Sequence, residues 1–256
     1  MRFLIVGILL FVASVANAGN VVWTDFSSPV ENSDVSINID RCYLDMSGQY
    51  QGYSGVNVVI DFATPEDPIQ FASITHVPFA SATVSVGRMT SGFGLSAFDD
   101  QPLGKPYLSE SYGGLTTDGV RVTGDYHGLS CLVTAGTDTY TAALYKTFLG
   151  INAKFSVRDS SDVENYCFSG TYVPPVGSAL GAEYIVTDDS DSYSIYYAPF
   201  SFVGCDFVAR YDSFGGLVTT SGGVSRLISQ NCRAYLNYHA YESEPDAVQL
   251  RWEYSY

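Results

Sequence analysis

The side chains of this 256-residue chain best suited to acid–base, nucleophilic or metal chemistry are three histidines, His76, His127 and His239, and five cysteines, Cys42, Cys131, Cys167, Cys205 and Cys232. No histidine has a Ser and an Asp arranged near it as a recognisable triad motif. The cysteines contain no C-x-x-C pair of the kind a zinc site uses. The glycine pairs at 113–114, 215–216 and 222–223 do not form a phosphate loop. A G-x-S-x-G element, a Walker motif and a basic nucleic-acid patch are all missing. The residues therefore imply no cofactor, no metal and no nucleic-acid partner, and an enzyme would have no visible catalytic constellation. What remains distinctive is charge. Asp and Glu number 27 against 12 Lys and Arg, a formal net charge of −15. The acids gather in short runs at 31–34, 64–68, 136–139, 159–164, 188–191 and 242–246. Such clusters attract cations and repel anions within a Debye length of about 8 Å.

The hydropathy rhythm shows which elements hold these acids in place. Short runs alternate apolar and polar residues, as half-buried strands do. Val56, Val58, Ile60 and Phe62 stand against Asn57 and Asp61; Ile151, Ala153, Phe155 and Val157 stand against Asn152, Lys154, Ser156 and Arg158. The acidic connections interleave with a second set, short and almost uncharged, at 79–80, 127–128, 149–150, 173–177, 200–202 and 229–231. In an up-and-down barrel every second connection lies on the same rim. A Greek-key sandwich gives no reason for this alternation. The expected fold is all-β: a closed antiparallel up-and-down transmembrane β-barrel of sixteen strands, with fourteen as the alternative. The strands are expected at 20–28, 35–48, 54–63, 70–77, 81–90, 117–126, 129–135, 139–147, 150–158, 164–172, 178–186, 191–199, 203–212, 217–227, 232–242 and 248–256.

The N-terminus points to export. Arg2 supplies a positive region, residues 3–13 an apolar one, and Ala16-Asn17-Ala18 an A-x-A cleavage site before Gly19. A signal peptide is expected over 1–18 and one domain over 19–256. The apolar run is shorter than the 18 or so residues a membrane helix needs. Twenty Tyr, 24 Gly and only three Lys suit a β-rich chain with aromatic girdles. They suit an acidic secreted β-sandwich equally. Five cysteines leave at least one unpaired within the chain; two disulfides with a free thiol, or no disulfide at all, both remain open.

At the C-terminus Val248, Leu250, Trp252, Tyr254 and Tyr256 alternate with Gln249, Arg251, Glu253 and Ser255, and the chain stops on an aromatic residue. This resembles the C-terminal assembly signal of outer-membrane barrels. Trp252, Tyr254 and Tyr256 would then carry that signal, and the barrel-assembly machinery would be a partner. Between Val84 and Tyr126 the chain reads V-S-V-G-R-M-T-S-G-F-G-L, then D-D-Q-P-L-G-K-P, then T-D-G-V-R-V-T-G-D-Y. This resembles the Gram-negative porins, whose fifth strand runs into a G-R-x-x-x-x-F-G-L element before a long third loop. With the C-terminal hairpin, the likeness covers about a third of the chain.

The resemblance implies that the third outer loop, 91–116, folds into the pore and narrows it. Arg88, Phe93, Asp99, Asp100, Lys105 and Glu110 would line or brace that constriction, with Arg121 and Asp125 facing it from the next strand. Strand polarity adds Lys154, Glu183, Asp206, Arg210, Arg233, His239, Arg251 and Glu253 to the lumen. Arg88 shares parity with Val84 and Val86, so it either lies near the outer rim or is turned inward by a bulge at Gly87. The expected function is an outer-membrane porin, a water-filled channel for passive diffusion of small hydrophilic solutes or ions with a weak cation preference. Both termini would be periplasmic. Partners would be outer-membrane lipid and lipopolysaccharide, small solutes and two further copies in a homotrimer. The competing reading is a secreted disulfide-linked β-sandwich that binds or adheres.

Overall fold

The computed structural model describes residues 20–29, 36–50, 54–62, 66–95, 112, 116–160, 163–172, 180–188 and 190–255; the expected signal peptide lies outside them. Sixteen strands follow in order: β1 (Asn20–Pro29), β2 (Ser36–Tyr50), β3 (Ser54–Asp61), β4 (Ile69–Phe79), β5 (Ala82–Thr90), β6 (Thr116–Tyr126), β7 (Leu129–Gly136), β8 (Thr139–Phe148), β9 (Ile151–Ser160), β10 (Val163–Tyr172), β11 (Leu180–Val186), β12 (Asp191–Phe202), β13 (Cys205–Phe214), β14 (Leu217–Ser229), β15 (Cys232–Tyr241) and β16 (Ala247–Ser255). Each pairs antiparallel with its chain neighbours, and β1 pairs with β16 from Val21–Ser255 to Pro29–Ala247, which closes the barrel. Closure removes the unpaired edges that hydrocarbon does not tolerate. Among the described residues it also leaves no second sheet for a sandwich.

The molecule is apolar outside and polar inside. Ile74, Val86, Val120, Val122, Val133, Leu144, Ile195, Phe207 and Leu236 are exposed on the outer face. Their strand neighbours Thr134, Thr141, Ser156, Ser169, Ser194, Ser221 and Ser225 are buried on the inner face. This inversion follows from the two-residue period of each strand. Exposed aromatics mark both ends of the wall, with Tyr126, Phe148 and Phe202 beside the short turns and Tyr140, Tyr184 and Tyr238 beside the other connections.

Turn chemistry sets the register. His127-Gly128, Leu149-Gly150 and Val203-Gly204 each carry two consecutive positive φ angles, the signature of the two-residue hairpin turn whose twist matches that of its strands. The turn expected at 200–202 falls instead on Val203-Gly204. Gly204 supplies the left-handed backbone, and Phe200 and Phe202 stay in the ladder opposite Phe207 and Cys205. Pro78 and Pro199 each sit inside a register shift, between His76 and Phe79 and between Tyr197 and Phe200, because a proline has no N–H for the ladder. The turn expected at 173–177 lies outside the described residues. Cys131, Cys167, Cys205 and Cys232 are free thiols; the side chain of Cys42 is outside the description.

Candidate functional site

Pairing brings the inward residues of neighbouring strands into level rows, and three rows on the β6–β11 wall form the candidate site. The row nearest the long connections runs Arg121, Thr134, Thr141, Arg158, Asn165 from β6 to β10. One step down, Leu132, Ala143, Ser156, Cys167 and Ile185 run from β7 to β11. One step further down come Tyr145, Lys154, Ser169 and Glu183.

The segment after β5 descends across these rows inside the barrel. Thr90 Oγ1 accepts from Arg121 Nη1 at 3.2 Å in the upper row. Phe93 is 0 % exposed and packs with Cys167 and Ile185 of the middle row, Tyr112 lying against the cluster. The Gly94 N–H donates to Ser156 Oγ at 2.9 Å, and the Leu95 N–H donates to Glu183 Oε1 at 2.8 Å. Lys154 Nζ donates to the Gly94 carbonyl at 2.6 Å. Gly92 and Gly94 take φ of 77° and 57°, so the backbone turns into the lumen where a residue with Cβ would be strained. A Cβ on Gly92 would also meet Leu132 Cδ2 at 2.9 Å. The apolar plug anchors the segment, while Ser156, Glu183 and Lys154 satisfy backbone groups that would otherwise be stranded beside it. Tyr112, further along the loop, hydrogen-bonds Ser192 and lies 5.1 Å from the Phe214 ring.

The wall built from β13 to β16 is polar and internally paired. Arg210 Nε donates to Asp212 Oδ1 at 2.7 Å, and Arg233 Nη1 donates to Asp206 Oδ2 at 2.5 Å. Tyr235 donates to Glu253, Asn237 Nδ2 donates to Gln249 Oε1 at 3.1 Å, and His239 Nδ1 lies 2.9 Å from Ser221 Oγ. Arg251 is 2 % exposed in this wall.

Parity thus places Arg121, Lys154, Glu183, Asp206, Arg210, Arg233, His239, Arg251 and Glu253 inside the barrel, and Trp252 and Tyr254 outside it. Two expectations are corrected. Arg88 shares the outer face with Val86 and Ile74, because the ladder keeps its register through Gly87. Its guanidinium is clamped at the rim by Asp67 at 2.5 Å, Asp118 at 3.1 Å and the Ile69 carbonyl at 2.6 Å. A charge on the outer face is tolerable there because the lipid-exposure penalty fades near the interface. Asp125 shares the inward parity of Arg121 but sits at the short-turn end of β6. It accepts from Ser130 Oγ at 2.7 Å and from the Gly128 N–H at 3.4 Å, so it braces the His127-Gly128 turn. Asp99, Asp100, Lys105, Glu110 and Tyr256 lie outside the described residues.

Sequence reasoning passed over Cys167, Ile185, Thr134, Thr141 and Asn165 as lumen residues. A signal was available for Cys167, which shares parity with Asn165 and Ser169 on β10. For Ile185 there was none, since an apolar residue in an amphipathic strand ordinarily belongs to the apolar face.

A closed sixteen-strand barrel, apolar outside and polar inside, with the segment after its fifth strand folded into the lumen, is the architecture of the outer-membrane porins. The comparisons agree at the level of fold. No protein-family model and no curated sequence matches the chain. Among solved structures, Salmonella typhi OmpF in complex with daunomycin superposes with a TM-score of 0.69 at 12 % identity, over 94 % of this chain and 97 % of that one. A Rh. blastica porin mutant gives 0.64 at 13 %, over 94 % and 99 %. The trimer form of OmpT, an outer membrane protein of Vibrio cholerae, gives 0.66 at 11 %, over 94 % and 98 %.

Proposed function

We propose that this protein is an outer-membrane porin, a passive channel for small hydrophilic solutes. The observation that carries the reading is the closed barrel with its inverted polarity and the loop segment pinned across one wall of the lumen. Such a scaffold leaves no backbone group unpaired in lipid, and the inward side chains with the loop select by size and charge. The reading includes a signal peptide over 1–18, periplasmic termini, delivery by the barrel-assembly machinery and contact with lipid and lipopolysaccharide. A homotrimer fits the trimer form in which one structural neighbour is known. Purified protein in a planar bilayer should give discrete single-channel steps that grow with salt; a folded barrel that never conducts would sink the proposal.

A weak cation preference belongs to the same reading. Glu66, Asp67, Asp138, Asp159, Glu164, Asp188, Glu242, Glu244 and Asp246 stand at or beside the connections of one rim. The paired Arg210–Asp212 and Arg233–Asp206 make the β13–β16 wall closer to neutral. The preference should fade as salt screens the mouth. Asp99→Asn with Asp100→Asn should lower the cation-to-anion permeability ratio at low salt by about twofold, and more than Asp188→Asn with Asp189→Asn does, because a narrow passage feels its charges most. An anion-selective wild type, or equal effects from the two pairs, would count against the loop as the filter.

A further inference from the structure

The upper row of the β6–β11 wall carries positive charge that nothing described in the barrel neutralises. Arg121 spends Nε on Thr134 Oγ1 at 3.2 Å and Nη1 on Thr90 Oγ1, but its Nη2 is buried without a partner. On the same row, Arg158 has both Nε and Nη1 buried without a partner. Between them lie the hydroxyls of Thr134 and Thr141, which are 1 % and 4 % exposed, and beyond them the buried side chain of Asn165. Lys154 sits four residues from Arg158 on the inward side of β9, with Ser156 between them, and is a like-charge neighbour of Arg121. Among the described residues the inward carboxylates on this wall, Glu183 and Asp125, lie two rows lower, Glu183 holding the Leu95 N–H and Asp125 the Gly128 N–H and the Ser130 hydroxyl. The contrast with the other wall is sharp, since Arg210 and Arg233 each hold a carboxylate there.

Buried guanidinium donors without acceptors are costly, and such groups call for an ion or a water in the working state. Two arginines stand on one row, three strand steps or about 14 Å apart at the backbone, with the threonine hydroxyls between them. A guanidinium edge presents two N–H groups with the spacing of two oxygens on a carboxylate or phosphate. We propose that this row is an oxyanion-binding step inside the lumen, in which Arg158 Nε and Nη1 and Arg121 Nη2 donate to the oxygens of a carboxylate or phosphate carried by a solute, and the Thr141 hydroxyl completes the shell. The site lies on the long-connection side of Phe93, so a solute arriving from that rim meets it before the apolar plug. Asn165 flanks the site opposite Arg158, its Oδ1 buried and likewise without a partner. This step rests on the lumen being open to solutes, which is the channel reading, but binding itself is measurable without conduction.

The test is calorimetric titration of inorganic phosphate, and separately of acetate, into the folded full-length barrel in detergent, with planar-bilayer conductance recorded on the same preparation. Wild type should bind phosphate saturably, and Arg158→Gln should weaken that binding by about 10-fold or more, the loss of a charged hydrogen-bonding partner. Arg158→Lys should recover part of it as a point charge without the fork. Arg226→Gln, an exposed arginine of β14 far from the row, serves as the charge-matched control and should bind as wild type does. Heat-modifiable gel migration establishes that each variant is folded, and Thr141→Val provides a second lesion if Arg158→Gln is not. Binding of phosphate but not acetate, or of acetate but not phosphate, assigns the class. Conductance with no saturable binding of either anion, or equal affinity in wild type and Arg158→Gln, overturns the site, leaves water as the partner of these donors, and leaves the channel reading standing. Saturable, Arg158-dependent binding without conductance supports the site and removes the channel.

Discussion

Removing residues 254–256 should abolish the folded barrel in the outer membrane, lowering its heat-modifiable form there by about tenfold or more as the unfolded chain is cleared by proteases. The loss is large because β16 is the closing strand. Tyr254 and Ser255 pair with Val22 and Val21 of β1, and Tyr254 also pairs with Cys232 of β15. Their removal leaves backbone groups of both neighbours unpaired at the seam, and each such group costs several kcal/mol in hydrocarbon. Trp252 and Tyr254 also face outward next to the short-turn rim, where aromatic side chains anchor a barrel at the interface. The exposed end of an ordinary strand would tolerate the same deletion. Quantitative membrane fractionation, with and without boiling before the gel, reads the result. Truncated protein reaching the outer membrane at the wild-type level would show that neither the seam nor the terminal aromatics matter.

Phe93→Ala should release the loop segment from the wall, and the buried thiol of Cys167 reports it. In a variant retaining Cys167 as its sole cysteine, the thiol is sealed beneath Phe93 and should react slowly with a small maleimide. Truncating a fully buried phenylalanine typically costs about 3–5 kcal/mol in a core. Taking the low end for a plug that borders water, the undocked population rises roughly a hundredfold, and the labelling rate should follow it when opening and closing are fast. The polar anchors, Lys154 to the Gly94 carbonyl and Glu183 to the Leu95 N–H, remain in place, so single-channel current should become noisier without loss of the barrel. An unchanged labelling rate would mean that the hydrogen bonds, not the aromatic plug, hold the segment.

The inside-out polarity was legible because it is local. A strand repeats every two residues, so Arg233, His239, Arg251 and Glu253 could be assigned to the lumen, and Leu250, Trp252 and Tyr254 to the outer face, from single strands alone. The same reading put Arg88 on the outer parity, yet the porin-like motif around it drew it into the constriction. Only its capture by Asp67 and Asp118, from the connection before β4 and from β6, decided the matter. Turns were legible where a glycine announced the positive φ, as at Gly128 and Gly150, and misplaced by a residue or two near Phe202, where aromatics and Pro199 obscured Gly204.

What alternation does not encode is level and cover. That Arg121 and Arg158 share a row depends on three successive registers, through Thr134 and Thr141, and a shift of any one would part them. That Ile185 and Cys167 face the lumen and stay dry depends on Phe93 arriving from the far side of the chain. Each strand carries its own period in its residues, whereas rows and the loop that covers them exist only once the barrel has closed.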